Sequence, residues 1–486
     1  MTWDELLRLV SCDATAEIQI DSRRVHKGDV FVAIPGVHCD GHAFIGQALA
    51  NGAKYIVHAD DHAAPADAKN ALLIPVSNPA KAAGLLAQAK RGNPGARLTN
   101  LAVTGTNGKT TVTFLVRSCI ESSGHKCGLM GTVVYETGSG TTASSLTTPD
   151  CLTIADAQRQ MVDAGAEYMV IEASSHALSQ DRLAAVDFKA AAFTNLTGDH
   201  LDYHKTKENY LAAKTRLFTA LAPEATAVLN KHAPESSSIA RATKARVCWY
   251  AIEEPADLTA WIESMTVNGT SFVLEYQGRR ERVKTPLLGR YNVANHLAAA
   301  GLCLGAGLDL GAVAKGLSAL KGVPGRLEKV DGDGSAVIVD YAHTDDALQN
   351  VLTTLKPLCR GRLIVLFGCG GDRDKTKRPR MARVVEHWAD WIIVTSDNPR
   401  TEQPQAIIND IMVGFKNPRS QKLTVEADRR KAIELAIESA APEDIVLLAG
   451  KGHETYQIIG TTKFDFSDKE VALTCLRSQS SRRIFC

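Results

Sequence analysis

The apolar run Leu101-Ala102-Val103 leads into Gly105-Thr106-Asn107-Gly108-Lys109-Thr110-Thr111, and Val112, Phe114, Leu115 and Val116 then begin a helical pattern. That order is strand, glycine loop, helix. Backbone N–H groups freed by Gly105 and Gly108 can cradle phosphate oxygens at the helix N-terminus, Lys109 can bridge terminal phosphates, and the Thr110 hydroxyl can hold Mg2+. The usual phosphate-loop pattern has a further glycine where this chain has Val103, so the loop is a shortened variant. A nucleotide is the expected ligand.

With 486 residues the chain is too long for one core of ordinary size, and about three domains are expected. Two turn-rich seams, Arg91-Gly92-Asn93-Pro94-Gly95 and Lys321-Gly322-Val323-Pro324-Gly325-Arg326, divide it accordingly. The fold expected is α/β throughout. Residues 1–93 form a small α/β unit with strands at Val30 to Ile34 and Ala53 to Val57. Residues 94–326 repeat a strand-then-helix rhythm through Tyr168 to Ile171 and Ala190 to Phe193, which implies a mostly parallel sheet, with a β insertion from Leu258 to Val283. Residues 327–486 alternate apolar strands (Ala336 to Val339, Leu363 to Phe367, Ile392 to Thr395, Ile445 to Leu448) with helices, as a Rossmann-like doubly wound sheet does.

Lys plus Arg number 55 against 54 Asp plus Glu, so no global field draws in nucleic acid or an anionic membrane. Any polyanion must be held locally. No apolar run reaches the ~20 residues of a membrane span, and Met1 to Val10 is an amphipathic helix pattern carrying acids. A cytoplasmic protein is expected, with no membrane insertion and no nucleic-acid partner. The 11 cysteines are scattered without metal-ligand spacing, and buried free thiols in a reducing compartment account for them.

Around the loop, Glu172 closes the apolar strand YMVIE, where a carboxylate can reach Mg2+ directly or through water. Asp199, His200, Asp202 and His204 crowd the segment TNLTGDHLDYH, which favours a metal role for one of them. Lys214, in AAKTRLF, has by composition alone no role beyond a solvated surface lysine.

The motifs GTNGKTT, EASSH, NLTGDHLDYH, AAKTRLF, GRYNVANHLAA, GVPGRLE, DYAHT, GCGGDRDKTKRPRM, DNPR and GKGHETYQ stand in one order. In this the chain resembles the Mur ligases, and most closely the type that extends UDP-N-acetylmuramoyl-L-alanyl-D-glutamate with meso-diaminopimelate. The resemblance runs from DSRRVHKGDVFVAIPG at Asp21 to GKGHETYQ at Gly450. It implies an N-terminal UDP-binding domain, a central ATP-binding domain and a C-terminal amino-acid-binding domain.

By that resemblance, ATP phosphates fall to Gly105, Thr106, Asn107, Gly108, Lys109, Thr110 and Thr111, and Mg2+ to Thr110, Glu172, His200 and Lys214. Lys214 matches the lysine that the family carries as a carbamate, which turns a cation into an oxygen ligand. Lys109, Glu172, His200 and Lys214 are thereby the implied catalytic set. Asn292, Asn295, Arg326, Asp340 and His343 match nucleotide contacts made across a domain seam. The UDP-sugar peptide is matched by Ile20, Ser22, Val37, His38, Cys39, Thr147, Thr148, Ser174, Gln180 and Arg182. The incoming amino acid falls to Arg373, Asp397, Asn398, Pro399, Arg400, Gly450 and Glu454, with Arg400 selecting the distal carboxylate that lysine lacks. Two positions depart from the family's usual wording. Tyr291 replaces a phenylalanine and adds a hydroxyl near the adenine, and Asp345 replaces a proline and loosens a helix start.

The reaction implied is ATP-driven amide formation through an acyl phosphate, in peptidoglycan precursor synthesis. A lysine-adding ligase and a folylpolyglutamate synthetase are the nearest rivals, and the UDP-site motif and DNPR argue against both. A catalytically silent nucleotide-binding scaffold would be expected to have lost Lys109, Glu172, His200 or Lys214, and all four are present. Nothing in the sequence sets the oligomeric state, and a monomer is expected.

Overall fold

The computed structural model describes residues 1–486 except 14, 37–38, 63–70, 145 and 485–486. Among the described residues the strands form three main sheets and one separate hairpin. The first sheet takes Ile18–Gln19, Val30–Val32, Tyr55–Ala59 and Leu72–Val76 in chain order, all parallel. The expected strand from Val30 ends two residues early, because the chain turns at the Pro35 bridge to Asp40. The strand expected from Ala53 begins at Tyr55, after the Gly52 turn at φ 98°. Helix Trp3–Cys12 opens with a reciprocal cap, Thr2 accepting from the Glu5 N–H while the Glu5 carboxylate accepts from Thr2 N–H at 2.7 Å. Its buried Leu6 and Val10 pack into the same apolar cluster as Ala82, Ala83 and Leu86 of helix Pro79–Lys90.

The second sheet has the phosphate loop at its centre. Strand Thr99–Thr104 lies between Ala190–Phe193 and Tyr168–Glu172, parallel to both. Outward on one side come Thr226–Asn230 and Arg246–Ile252, also parallel. The expected insertion follows as Leu258–Thr266, Gly269–Tyr276 and Arg279–Thr285, antiparallel to one another. On the other side Cys127–Met130 is followed by Val134–Glu136 and Thr141–Ala143, two antiparallel strands with too little apolar alternation to be read from sequence. Apolar clusters cover both faces, one built on helices Lys109–Ser122 and Arg290–Gly305, the other on Cys151–Asp163 and Lys207–Thr219.

In the third sheet Ala336–Asp340, Ile445–Ala449, Leu363–Phe367, Trp391–Val394 and Leu423–Val425 run parallel, with Glu328–Lys329 antiparallel at the edge. Helices pack on both faces, so the doubly wound expectation holds. The hairpin Tyr456–Ile459 with Thr462–Asp465 was not foreseen. The start of helix Asp345–Leu355 is not loosened, because Thr344 caps it and Asp345 pairs with Arg380 at 3.1 Å. All described cysteines are free, but Cys12 and Cys39 are exposed, so burial does not explain every thiol. Among the described residues no helix is long and apolar enough to cross a membrane.

Candidate active site

The loop after Thr99–Thr104 is held by its neighbours before any ligand is considered. Gly108 adopts φ +93°, and a Cβ there would collide with the Asn295 side-chain oxygen, so the close approach of helix Arg290–Gly305 requires glycine. Lys109 donates to the carbonyls of Gly105 and Thr106, both at 2.9 Å. Asn107 donates its N–H to the Asn195 side chain at 3.0 Å and its amide to Asp346 at 2.9 Å. Arg326 reaches Thr110 Oγ1 at 3.4 Å.

Register places Glu172 opposite Val103, one strand over from the loop. The Glu172 carboxylate is 1% exposed and accepts from Thr132 N–H at 2.8 Å and Thr132 Oγ1 at 3.0 Å. Lys214 is also 1% exposed, with Nζ donating to Gly105 O at 2.8 Å and lying 4.4 Å from the centre of the Tyr210 ring. Burial, then the charge of Lys109, pushes the Lys214 amine well below its usual range. Burial lowers Lys109 as well, against Glu172 and Asp199. His200 is the outlier. It takes φ 55°, its side chain is 45% exposed, and it stands 3.5 Å from Asp199 and edge-on to His176.

On helix Arg290–Gly305, on the loop's own side of the seam, Asn295 donates to Asn292 at 3.0 Å, and Asn292 to Leu288 O at 2.8 Å. Asp340 accepts from the N–H groups of Leu327 and Ala342 at 2.6 and 2.7 Å, and burial raises its carboxyl. His343 is pushed down to about 4, chiefly by burial and then by Lys377. A cavity of about 590 Å³ is lined by Thr106 to Thr111, Thr147, Glu172, Ser174, His200, Lys214, Asn292, Asn295, Arg326, Asp340 and His343. The structure thus brings the nucleotide and metal sets together between the second and third sheets.

The remaining candidates lie in three places. Thr148 Oγ1 donates to Glu172 O at 2.6 Å, and Arg182 holds Thr148 O at 2.8 Å and Gln180 at 2.7 Å. Ser22 donates to Gln47 at 2.7 Å, Cys39 is exposed, and Ile20 lines a second cleft of about 230 Å³ at the first seam. Val37 and His38 lie outside the described residues, and Asp202 outside the described side chains. In the third domain Asp397, Asn398, Pro399, Arg400, Gly450 and Glu454 gather beyond the strand C-termini. Asn398 donates to Glu454 at 2.8 Å, Arg400 holds Gly371 O at 2.8 Å, and the exposed Arg373 donates to its neighbour's carbonyl at 3.4 Å. Gly450, at φ +112°, lets the Asp397 carboxylate approach to where a Cβ would stand 2.6 Å from it.

Several contributors escaped sequence reading. Lys451 is fully buried and bonds Glu454 at 3.0 Å and Asn398 at 3.2 Å, yet it reads as an ordinary lysine between two glycines. Asp346 and Thr132 carry no local signature. Tyr210 did, since its spacing of four residues from Lys214 on one helix puts ring and amine on one face.

Comparison with known proteins gives three matches along the chain. The Mur ligase family catalytic domain covers residues 15–91, the Mur ligase middle domain 103–303, and the Mur ligase glutamate ligase domain 325–452. A UDP-N-acetylmuramoyl-L-alanyl-D-glutamate--2,6-diaminopimelate ligase of Gloeobacter violaceus is 44% identical over 469 residues, covering 96% of this chain and 95% of that one. The chain belongs to the Mur ligase family. A ligase of the same name from Syntrophomonas wolfei is 41% identical over 465 residues, 95% of this Mur ligase and 94% of that protein. A solved structure of a ligase of that name aligns with a TM-score of 0.68 at 34% identity, covering 96% of this chain and 95% of the other. The glycine loop and Lys214 fall in the matched middle domain, and the Asp397 to Arg400 and Gly450 loops in the matched glutamate ligase domain.

Proposed function

We propose that this Mur ligase uses ATP to join meso-diaminopimelate to the D-Glu γ-carboxylate of UDP-N-acetylmuramoyl-L-alanyl-D-glutamate, in the cytoplasm and as a monomer. The reading is carried by the convergence of Lys109, Glu172 and Lys214 on one cavity at the glycine loop, in a chain 44% identical to a ligase of that name. We assign residues 1–93 to the UDP end of the substrate, 94–326 to ATP and 327–486 to the amino acid.

Thr110, Glu172, His200 and Lys214 would hold Mg2+, and the donor set fits a hard cation. Glu172 offers a carboxylate braced by Thr132, and the Lys214 amine, driven toward neutrality, can take up CO2 and present carbamate oxygens. Among the described residues no three of His, Cys, Asp and Glu gather as ligands, and the proposed set draws only Glu172 and His200 from those types. Mg2+ bound there would supply neutralisation of phosphate charge.

Lys109 and the loop amides hold the γ-phosphate while the substrate γ-carboxylate attacks it. The phosphorus bond to the bridging oxygen breaks, ADP leaves, and an acyl phosphate forms. The amine of diaminopimelate then attacks the acyl carbon, phosphate departs, and the nitrogen loses a proton. That proton leaves to solvent, because burial holds His343 at about 4, too low for its ring to keep a proton, and His200 would already hold Mg2+. Asn292, Asn295, Arg326 and Asp340 would hold the nucleoside. Thr147, Thr148, Ser174, Gln180 and Arg182, with Ile20, Ser22, Val37, His38 and Cys39, would hold the UDP-sugar peptide. Arg373, Asp397, Asn398, Pro399, Arg400, Gly450 and Glu454 would hold the amino acid.

Phosphate release should require ATP, Mg2+, the UDP-dipeptide and meso-diaminopimelate together. Rapid ATP turnover without the UDP-dipeptide would defeat the reading.

A further inference from the structure

Arg429 opens helix Arg429–Glu438 and is 2% exposed, although it carries a permanent charge. Its carboxylate partner is Asp468, the first residue of helix Asp468–Ile484, equally buried. The pair is a two-point fork, Nε to Oδ1 at 2.8 Å and Nη2 to Oδ2 at 2.6 Å. The rest of the guanidinium is spent on two main-chain carbonyls. Nη1 donates to Ser396 O at 3.2 Å and Nη2 to Ala449 O at 3.0 Å.

Those two carbonyls have specific positions. Ser396 immediately precedes Asp397, and Ala449 immediately precedes Gly450. They lie at the ends of strands Trp391–Val394 and Ile445–Ala449, which are not paired with each other because Leu363–Phe367 runs between them. The sheet itself leaves these loops independent; their tips meet through the Asn398 bonds to Glu454 and Lys451, and this one side chain ties them together at their bases. Their separation matters closely, since the Asp397 carboxylate sits against Gly450 with no room for a Cβ. The guanidinium makes four donor contacts at fixed angles, one more than the three N–H bonds of a lysine ammonium allow.

We infer that Arg429, held by Asp468, is a positioning residue that sets the spacing of the Asp397–Arg400 and Gly450–Glu454 loops and thereby the fit of the incoming amino acid. This rests on the assignment of those loops to the amino acid. It makes the start of the C-terminal helix part of the site's support, although neither residue belongs to the cavity or to the substrate groups described above. A merely structural ion pair would leave amino-acid binding untouched once stability is restored.

The test is the full-length double variant Arg429→Met/Asp468→Leu, because replacing both members of a buried pair by apolar groups of similar size avoids an orphaned charge. It should unfold at a temperature close to wild type. Its KM for meso-diaminopimelate should rise roughly 10- to 100-fold, the effect of misplacing groups by about 1 Å, while KM for ATP and for the UDP-dipeptide stays within about threefold. Arg429→Lys provides a second measurement, keeping the charge on Asp468 but losing the bridge, and should show the same selective rise. An unchanged amino-acid KM in either folded variant, or an equal rise for all three substrates, overturns the inference. Wild type measured alongside separates the two levels: if it does not use diaminopimelate, the proposed function fails first.

Discussion

The Lys214 amine donates to the Gly105 carbonyl at 2.8 Å, joining residues 109 positions apart at the first glycine of the phosphate loop. Burial, then the charge of Lys109, holds that amine well below its usual range, which is what the proposed uptake of CO2 requires.

Lys214→Ala should therefore lower phosphate release by roughly 100- to 1000-fold, the scale of losing one preorganised electrostatic group. A short carboxylic acid that replaces the carbamate oxygens should restore part of it, and wild type should weaken when CO2 is stripped from the buffer. An alanine variant of full activity would remove Lys214 from the chemistry.

Arg400 is half-buried and fixed by Gly371 O, so its guanidinium is already oriented. A charge-assisted pair contributes about 1.5 to 3 kcal/mol, and stranding its partner costs about 3 to 5, so Arg400→Ala should raise KM for meso-diaminopimelate on the order of 10- to 1000-fold. KM for ATP and the UDP-dipeptide should hardly move, and lysine, without a distal carboxylate, should lose little. Equal weakening of both amino acids in kcat/KM measurements would take specificity away from Arg400.

Gly108→Ala puts a Cβ into the Asn295 side chain and a left-handed backbone conformation under strain of about 1 to 2 kcal/mol. The variant should melt earlier and bind ATP at least about tenfold more weakly. Calorimetric titration and a thermal melt check both, and unaltered ATP affinity would show that the loop tolerates a side chain.

His296 offers a pH test away from the chemistry. Burial pushes it down to about 4 from 6.5, and only its Nδ1 is engaged, with Asn292 O at 2.6 Å. The unfolded ring takes a proton as pH falls below 6.5 and the folded one does not until about 4. Its contribution is thus fully present above that window and lost as pH falls through it, with a slope of at most about 1.4 kcal/mol per pH unit. Urea unfolding of His296→Gln should give lower stability at pH 7 and a shallower decline toward pH 4; an identical slope would contradict the assignment.

The glycine loop, its flanking elements and the doubly wound third sheet were legible because each is written in contiguous residues. Lys214 was not, on its residues alone: a lysine on a helix looks solvated until the fold presses that helix against Gly105. Lys451, Asp346 and Arg429 share this property, since their partners are 3 to 239 positions away and only the folded chain decides which of them meet. Short antiparallel strands such as Thr141–Ala143 escaped for a different reason, being exposed and without an apolar face.

The connection between the second and third sheets is narrower than its turn-rich sequence suggests. Val323 is fully buried in the core of the second sheet, while Gly325 is bound to the third through Tyr341 N–H at 2.9 Å and the Glu328 carboxylate at 2.7 Å. Only Pro324 lies between these anchors, and its ring removes one of the few torsions left. The covalent tie between the two domains is therefore one short turn, closed by the Arg326 N–H bond to Val323 O at 3.1 Å. Arg326, its backbone anchored in that turn, hands its guanidinium to Thr110 at 3.4 Å, so the seam is stitched beside the phosphate loop as well as through the chain.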